Sequence, residues 1–261
     1  MKKTISVVIH TYNSEKYLER CLESVKDADE IIICDMHSKD RTIEIAEKFN
    51  CKIVYHENVG YAEPARNFAN SQVTSDYFLI LDSDEYASSG LLKYLRAYIE
   101  RENPAEGVRI PYKNELLGKV LHSYSKRGIL RFFKKGCVSY QAHVHGAPEV
   151  KGREEYIPNE KGEVFITHTM VDELNPFIIK WNYYTTLELE KLTARNKHFS
   201  MTFLVTRSVL EFIKMYFIKQ GFRDGVHGFI FAIIAAHYKF MAIVKLWEYE
   251  MKNEDYRLKR K

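Results

Sequence analysis

Short apolar segments typical of β-strands alternate with segments of helical spacing over the first hundred residues of this chain. This alternation predicts an α/β fold with a doubly wound, parallel sheet, because parallel strands need a crossover connection that is usually a helix. In such sheets ligands bind beyond the carboxyl ends of the strands. The predicted strands cover residues 4–9, 30–34, 52–56 and 76–81.

Acidic residues follow the last of these strands at once, because Asp82, Asp84 and Glu85 come directly after the apolar run FLIL. A buried carboxylate without a partner costs several kcal/mol, so these acids need water or a cation. Capping of the following helix is the alternative. Polar residues also follow two other strands, at 10–13 and 35–38. We therefore expect three strand ends to form one crevice that holds a metal ion.

The regular alternation stops near residue 107, and a helical, aromatic pattern begins near residue 175. The length of 261 residues suits one large α/β domain with an appendage. We predict an α/β half at 1–106, a sheet-completing segment of the same domain at 107–174, and a helical extension at 175–261.

Charge is unevenly placed along the chain. The net charge of +4 is too small to indicate a nucleic-acid partner, but residues 191–261 carry 14 Lys and Arg against 6 Asp and Glu. This asymmetry predicts that the basic C-terminal end lies near an anionic partner surface, such as membrane headgroups or a phosphorylated acceptor.

The C-terminal helices are predicted to pack on the body of the protein or to lie in a membrane interface. The tract GFIFAIIAAHYKFMAIVKLW is interrupted by His237, Lys239 and Lys245, so it is not a clean spanning helix. Pairing with a second copy of the chain, as a homodimer, is the alternative. We expect a cytoplasmic protein, peripheral at the inner face of the plasma membrane.

The four cysteines and the N-terminus support this location. The cysteines lie far apart without a CxxC pair, which predicts free thiols in a reducing compartment rather than disulfides or a zinc site. No apolar stretch of signal-peptide length follows the N-terminal lysines, so we expect no secretion signal.

Three segments resemble the family 2 glycosyltransferases of the GT-A fold: SVVIHTYNSEKYLERCLES, CDMHSKDRT and ARNFANSQVTSDYFLILDSDE. The last contains the family's Asp-x-Asp motif as Asp82-Ser83-Asp84. The C-terminal tract FRDGVHGFIFAIIAAHYKFMAIVKLWE is similar to that of lipopolysaccharide-core β-1,4-glucosyltransferases. Two residues depart from these patterns, since His37 replaces a glycine of the nucleotide loop and Gly146 replaces the glutamate of a Val-His-Glu segment.

This resemblance implies a mixed, mainly parallel sheet and an inverting, metal-dependent sugar transfer. The donor would be a UDP-sugar, with UDP-glucose expected, and it would bind to residues 1–106. The acceptor would be a surface glycan, a lipooligosaccharide or a lipid-linked molecule, received by residues 107–174. A Mn²⁺ or Mg²⁺ ion would neutralise the departing diphosphate.

The resemblance also implies roles for individual residues. Asp84 would bind the metal directly, Asp82 would reach the ribose or a metal-bound water, and His168, at a strand end, would contact metal or diphosphate. Asp35 would accept from the uracil edge. Arg66 would contact the diphosphate or hold Asp82. The predicted nucleotide-sugar-binding residues are Thr11, Tyr12, Asn13, Asp35, Arg66, Asn67, Asp82 and Ser83.

The departure at Gly146 leaves several candidates for the catalytic base. Glu149 is the nearest following carboxylate, Asp172 lies four residues beyond His168, and His145 is the third candidate. A base must come within hydrogen-bond distance of the acceptor hydroxyl.

Purely structural roles are the alternatives for several of these residues. Arg66 could form a surface salt bridge with Glu63, Tyr12 could serve packing alone, and a histidine such as His168 is most often an ordinary surface residue. Two other functions also stay open: a nucleotidyltransferase, although HTYNSEK lacks the usual Gly-rich basic loop, and a membrane-associated scaffold without turnover.

Overall fold

This structure is a computed structural model, and it describes residues 2–58, 63–140, 148–158 and 162–253. The chain divides into two compact units. The first consists of Met1–Lys113 with Lys126–Thr169, and the second consists of Asn114–Ser125 with Met170–Lys261. The predicted boundaries at 107 and 175 stay predictions.

A mixed sheet forms the framework of the described chain. Its strands and those of a small ribbon are β1 (Ile5–Thr11), β2 (Glu30–Asp35), β3 (Lys52–Tyr55), β4 (Tyr77–Asp82), β5 (Glu85–Ala87), β6 (Gly107–Leu116), β7 (Lys119–Lys134), β8 (Val138–Tyr140), β9 (Pro148–Val150), β10 (Glu154–Tyr156) and β11 (Ile166–Val171). Within the described residues the strand order is β3-β2-β1-β4-β7-β6-β11-β5, with β10 beside β6, and β8 pairs with β9 separately. The first four strands are parallel, whereas β7 runs antiparallel to β4 and β5 antiparallel to β11.

Helices of the first unit pack on both faces of its sheet, and further helices belong to the second unit. The helices are α1 (Leu18–Val25), α2 (Thr42–Lys48), α3 (Glu63–Ser71), α4 (Leu91–Ile99), α5 (Leu174–Ala194), α6 (Met201–Ile213) and α7 (Val226–Lys252). Every residue of β1 is buried, which explains its continuous apolar, β-branched sequence. Val7 and Ile9 belong to the cluster that includes α1 and α4, whereas Val8 belongs to the cluster that includes α3. Burying each such side chain contributes about 1.5–3 kcal/mol.

Helices α2 and α4 each begin a few residues after the nearest serine that could cap them. Helix α2 begins at Thr42 rather than after Ser38, because the Ser38 hydroxyl donates to Asp35 (2.5 Å) while Asp40 accepts from the Thr42 N–H (3.0 Å). Helix α4 begins at Leu91 because the hydroxyl of Ser88 donates to a distant carbonyl instead of capping the helix.

The second unit contains the three C-terminal helices that the sequence predicts. A π-helical turn, Lys214–Ile218, and a short 3₁₀ turn, Gly221–Asp224, separate α6 from α7. The glycines of this break are required by close packing, because a Cβ at Gly228 would lie 1.9 Å from the carbonyl oxygen of Gly221. Asp224 is buried and accepts from the backbone N–H groups of His122 (2.8 Å) and Ser123 (2.9 Å) in β7.

Candidate active site

Hydrogen bonds tie the carboxyl ends of β1, β2 and β4 together. The Asn13 N–H donates to the Ser38 hydroxyl (2.8 Å), and the Lys39 N–H donates to the Asn13 side chain (2.8 Å). The hydroxyls of Ser14 and Ser83 lie 2.8 Å apart and connect this pair of loops to the acidic loop after β4. The three strand ends therefore meet at one edge of the sheet in the first unit, as predicted, and we call this meeting point the crevice.

Asp35 anchors the loop after β2. Its carboxylate is fully buried and accepts from the Thr11 hydroxyl (2.8 Å), the Ser38 N–H (2.8 Å) and the Ser38 hydroxyl (2.5 Å). Three of its roughly four acceptor positions are thus used within the protein, so Asp35 fixes Thr11 and Ser38 relative to each other.

His37 occupies a backbone conformation that favours glycine, with φ at +61°. The left-handed conformation explains why the family pattern has glycine at this position. Its exposed ring stacks on that of Tyr55, with the ring centroids 5.6 Å apart. The chain therefore keeps the loop conformation while placing an aromatic surface beside the Asp35 loop.

Asp82 is held between two arginines. Arg66 Nη2 donates to Oδ1 (2.8 Å), and Arg131 Nη2 donates to Oδ2 (2.7 Å). Burial alone would raise the pKa of Asp82, but the charges of Arg131 and Arg66 lower it well below its usual range. Asp82 is therefore a fixed anion that orients both guanidinium groups.

Glu85 shares Arg131 with Asp82. Arg131 Nη2 lies 2.7 Å from Glu85 Oε1, the Tyr112 hydroxyl donates to the same oxygen (2.7 Å), and the Asp82 N–H donates to Oε2 (2.9 Å). The Glu85 side chain is 1% exposed, and this burial raises its pKa, which the Arg131 charge only partly offsets. The result is a buried network of two acids, two arginines and a tyrosine beneath the acidic loop.

His10 lies at the same level of the sheet, since its backbone pairs with that of Asp82. Burial, reinforced by the charge of Arg66, lowers the pKa of His10 to about 3. The imidazole is therefore neutral at physiological pH and adds no charge to the network.

Asp84 faces His168 rather than the arginines. Its Oδ2 lies 3.4 Å from His168 Nε2, and both side chains are partly exposed. The pairing of β11 with β5 positions them, because His168 opposes Glu85 and the Thr169 N–H donates to the Asp84 carbonyl (2.9 Å). Burial alone would lower the pKa of His168, but its hydrogen bond with Asp84 and the Asp84 charge raise it.

This pair fits a divalent cation that takes its remaining ligands from a diphosphate and water. No group of three or more His, Cys, Asp or Glu side chains among the described residues could hold a metal ion by itself. Mg²⁺ commonly uses one or two carboxylates together with substrate phosphates, and imidazole suits Mn²⁺ and other transition metals. Asp82, whose two oxygens are both occupied by arginine, is less suited to direct ligation than Asp84.

The other predicted residues are distributed as follows. Tyr12 is 47% exposed at the crevice, so it is not a core residue. Asn67 exchanges two hydrogen bonds with the backbone of Tyr140 (2.7 and 2.9 Å) and so fastens β8 to α3. Glu149 is exposed on β9, and Asp172 is exposed just after β11 in the second unit. The predicted base His145 lies outside the described residues.

Arg131 and Tyr112 are the residues that the sequence analysis missed. Both lie in strands that come after the clear alternation has ended. One signal was present, because the segment ILRFFKK places an arginine inside an apolar strand. A buried cation in such a strand needs an acidic partner, and the acidic loop after β4 supplies two.

The family model described as glycosyl transferase family 2 matches residues 6–149. This range includes the loops after β1, β2 and β4 and extends into β9. This chain belongs to glycosyl transferase family 2. The predicted transferase activity class is thereby confirmed, and the nucleotidyltransferase alternative is wrong.

Relatives of this family 2 chain match along nearly its whole length. It is 26% identical to "Uncharacterized glycosyltransferase RC0292" of Rickettsia conorii over 98% of this chain and 94% of that protein. It is 25% identical to the "Lipopolysaccharide core biosynthesis glycosyltransferase LpsC" of Rhizobium meliloti over 95% of this chain and 93% of that protein.

The fold matches that of a solved family member. The crystal structure of residues 1–349 of S. aureus TarS in complex with UDP-GlcNAc superposes with a TM-score of 0.51 at 17% identity, covering 92% of this chain and 89% of that one. At this identity the likeness speaks for the fold alone, and it confirms the predicted GT-A architecture. Enzymes of family 2 with this fold typically use a divalent metal.

Proposed function

We propose that this glycosyltransferase moves a sugar from a UDP-sugar to a hydroxyl group of a surface-glycan, lipooligosaccharide or lipid-linked acceptor, with inversion at the anomeric carbon. Glucose is the proposed sugar. The name of LpsC supports an acceptor in lipopolysaccharide-core biosynthesis, and the UDP-GlcNAc bound to TarS supports a uridine nucleotide donor. The same complex makes N-acetylglucosamine the competing sugar.

One observation carries this proposal: the loop anchored by Asp35 and the Asp84–His168 pair lie at the same crevice, joined through the contact between Ser14 and Ser83. The Asp35 loop would receive the uridine, because Tyr12 offers an exposed ring beside it. A contact between Asp35 and a ring N–H would require this loop to open, because the carboxylate is fully buried. The Asp84–His168 pair would hold a divalent cation on the diphosphate. When bound, that cation supplies positive charge at the leaving group.

The arginine network would act on the diphosphate itself. Arg66 Nη1 is buried and makes no hydrogen bond with the described residues, whereas Nη2 is fixed by Asp82. A guanidinium held at one nitrogen retains donors that suit a phosphate oxygen. We propose that Asp82 orients Arg66 toward the diphosphate. In this proposal Asp82 positions the Arg66 guanidinium, whereas Asp84 binds the metal ion.

The proton of the acceptor hydroxyl requires a base. Inversion needs a single base and no covalent intermediate, so one carboxylate is enough. Glu149 is the first candidate because its ribbon is joined, through Tyr140 and Asn67, to the helix that carries Arg66. Asp172 and His145 are the other candidates. We expect Glu149→Gln to abolish transfer while UDP-sugar binding persists, and an active variant would exclude Glu149.

Calorimetric titration tests the donor site directly. UDP-glucose and UDP-GlcNAc are titrated into the protein with Mn²⁺, with Mg²⁺ and with a chelator, and hydrolysis of the bound sugar is followed in parallel. We expect tight binding only with metal, loss of the metal effect in Asp84→Asn, and slow hydrolysis that depends on the metal. Failure of either nucleotide sugar to bind would refute the proposal. Binding without hydrolysis or transfer would favour the scaffold interpretation.

The proposed place of action is the cytoplasm, at the inner face of the plasma membrane. The described cysteines are all free, which is typical of a reducing compartment. Fractionation of cells that produce the protein tests this, and recovery from the extracytoplasmic fraction would contradict it.

A further inference from the structure

The break between α6 and α7 exposes a cluster of large apolar side chains, which we call the helical tip. The exposed fractions of Phe217, Ile218, Phe222, Val226 and Phe229 are 56%, 71%, 52%, 71% and 46%. Isolated exposed apolar residues are normal, but five of them within thirteen residues of chain form a patch of the kind that marks an interaction site.

The backbone conformation of the turns between α6 and α7 holds these side chains at the surface. Gln220 and Gly225 both have positive φ, at 59° and 62°, and they bracket the 3₁₀ turn. A Cβ at Gly221 would lie 2.8 Å from the carbonyl oxygen of Met215, so the turn closes tightly on the π-helical segment. The buried carboxylate of Asp224 fixes the same turn to β7 through two backbone hydrogen bonds. Close backbone contacts and the hydrogen bonds of Asp224 therefore fix the conformation of the helical tip.

Ring contacts add to this order. Tyr216 packs edge-on against Phe217 (5.1 Å between centroids), Phe222 (6.4 Å) and Phe229 (5.7 Å). The partly buried Tyr216 thus supports three rings that each expose about half of their surface. Rings held this way lose little conformational entropy when a further surface covers them.

Positive charge surrounds the helical tip. Lys214, Lys219 and Arg223 are exposed on the same turns. The acids of this segment are withdrawn, because Asp224 is buried and Glu211, with 19% of its side chain exposed, pairs with Lys214 (3.0 Å). Apolar rings beside cations are the composition of surfaces that lie in a bilayer interface.

We propose that the helical tip docks on an anionic lipid bilayer, with its apolar side chains at the headgroup boundary and its cations on lipid phosphates. A second copy of the chain suits the surface less well. A twofold interface brings the same patch of both subunits together, so Lys219 and Arg223 of one copy, which form no ion pair among the described residues, would meet those of the other. Anionic headgroups neutralise this charge instead.

The helical tip lies on the surface of the bilayer in this proposal, and α7 does not cross it. Among the described residues α7 is the helix that is long and apolar enough to span a membrane, judged by length and composition only. Its lysines, however, make contacts with α5: Lys239 pairs with Glu188 (2.9 Å), and Lys245 donates to the Asn182 carbonyl (2.7 Å). Because its lysines make these polar contacts with α5, α7 is packed within the second unit.

Vesicle co-sedimentation tests the proposal on the full chain. Vesicles of phosphatidylcholine alone are compared with vesicles in which about one-third of the lipid is phosphatidylglycerol, at low and at physiological salt. Each Lys or Arg near an anionic surface is worth roughly a fivefold change in partitioning. We expect binding to the anionic vesicles only, weakened by salt. The combined variant Lys214→Gln, Lys219→Gln, Arg223→Gln should bind about a hundredfold more weakly.

A second variant tests the apolar part and carries its own control. Ile218→Ser with Val226→Ser should lose most vesicle binding. The matched control is Ile178→Ser with Ile179→Ser on α5, where the exposed fractions are 60% and 65%, and it should bind normally. Tryptophan fluorescence verifies folding of each variant, because both tryptophans lie in the second unit.

Three results would overturn the proposal. They are absence of binding to anionic vesicles, equal losses in the tip variant and the α5 control, and a lipid-free dimer that the tip variant converts to monomer. The last would identify a second copy as the occupant. UDP binding measured on the same samples keeps this outcome separate from the proposed function, because the vesicle assay needs no donor.

Discussion

Removal of the Arg131 side-chain charge is the perturbation that most directly tests the network beneath the acidic loop. Arg131 lies 2.7 Å from both Asp82 and Glu85, and 13% of its side chain is exposed. In Arg131→Met the aliphatic part of the side chain is retained and both charge-assisted hydrogen bonds are lost. Glu85, which is 1% exposed, then keeps only neutral partners, the Tyr112 hydroxyl and the Asp82 N–H.

The expected cost follows from the burial of Glu85. Removing one partner of a buried ion pair costs about 3–5 kcal/mol, because an uncompensated charge stays in a low-dielectric site. That is a large part of a typical stability of about 5–15 kcal/mol. Adding Glu85→Gln to Arg131→Met should recover part of the loss, because the neutral amide needs no cation. Such recovery would show that the cost arises from the stranded carboxylate.

Urea unfolding should be followed by far-UV circular dichroism together with hydrogen exchange of the β4 peptide. Both tryptophans lie in the second unit, so their fluorescence would not report on the network. The matched control is Arg41→Met. The Arg41 and Glu15 side chains are 73% and 41% exposed, so breaking their pair should cost less than about 1 kcal/mol.

The reasoning about Arg131 would be refuted if Arg131→Met and Arg41→Met lost equal stability. It would also fail if Glu85→Gln made the Arg131→Met protein still less stable. Either result would show that the stability of the buried Glu85 does not depend on the arginine charge.

Three further predictions concern the Asp84–His168 pair, the backbone at His37 and the close contact at Gly228. Asp84→Asn should abolish the Mn²⁺ dependence of UDP binding in calorimetry, and His168→Ala should weaken that metal-assisted binding about tenfold, equivalent to about 1.4 kcal/mol; unchanged metal dependence in both would exclude the pair as ligands. At the left-handed His37, a valine should leave the protein about 1–2 kcal/mol less stable than a glycine in urea unfolding, and equal stabilities would argue against that backbone conformation. Gly228→Ala should destabilise the second unit by about 1–3 kcal/mol in tryptophan-detected unfolding, because the new methyl group would overlap the Gly221 carbonyl; a neutral result would contradict the close packing.

Local sequence was sufficient for the first part of the fold. The period of the apolar residues identified β1 to β4, and the polar residues directly after them identified the crevice, because parallel strands that follow one another bring their carboxyl ends to one edge. The acids after β4 needed partners for a reason that the sequence alone provides, namely that an apolar strand delivers them to a buried edge.

Only the tertiary structure decided which partner each acid has. Arg131 reaches Asp82 because β7 inserts antiparallel beside β4, and His168 reaches Asp84 because β11 pairs with β5. Pairings between strands far apart in sequence leave no periodic signal in either strand, so the local pattern named no partner for Asp82 or Asp84, and only the family resemblance gave them different roles. The same limit applies to the helical tip: the sequence predicts an apolar, basic helical region, but only the packing of α6, α7 and the turns between them determines which side chains remain in water.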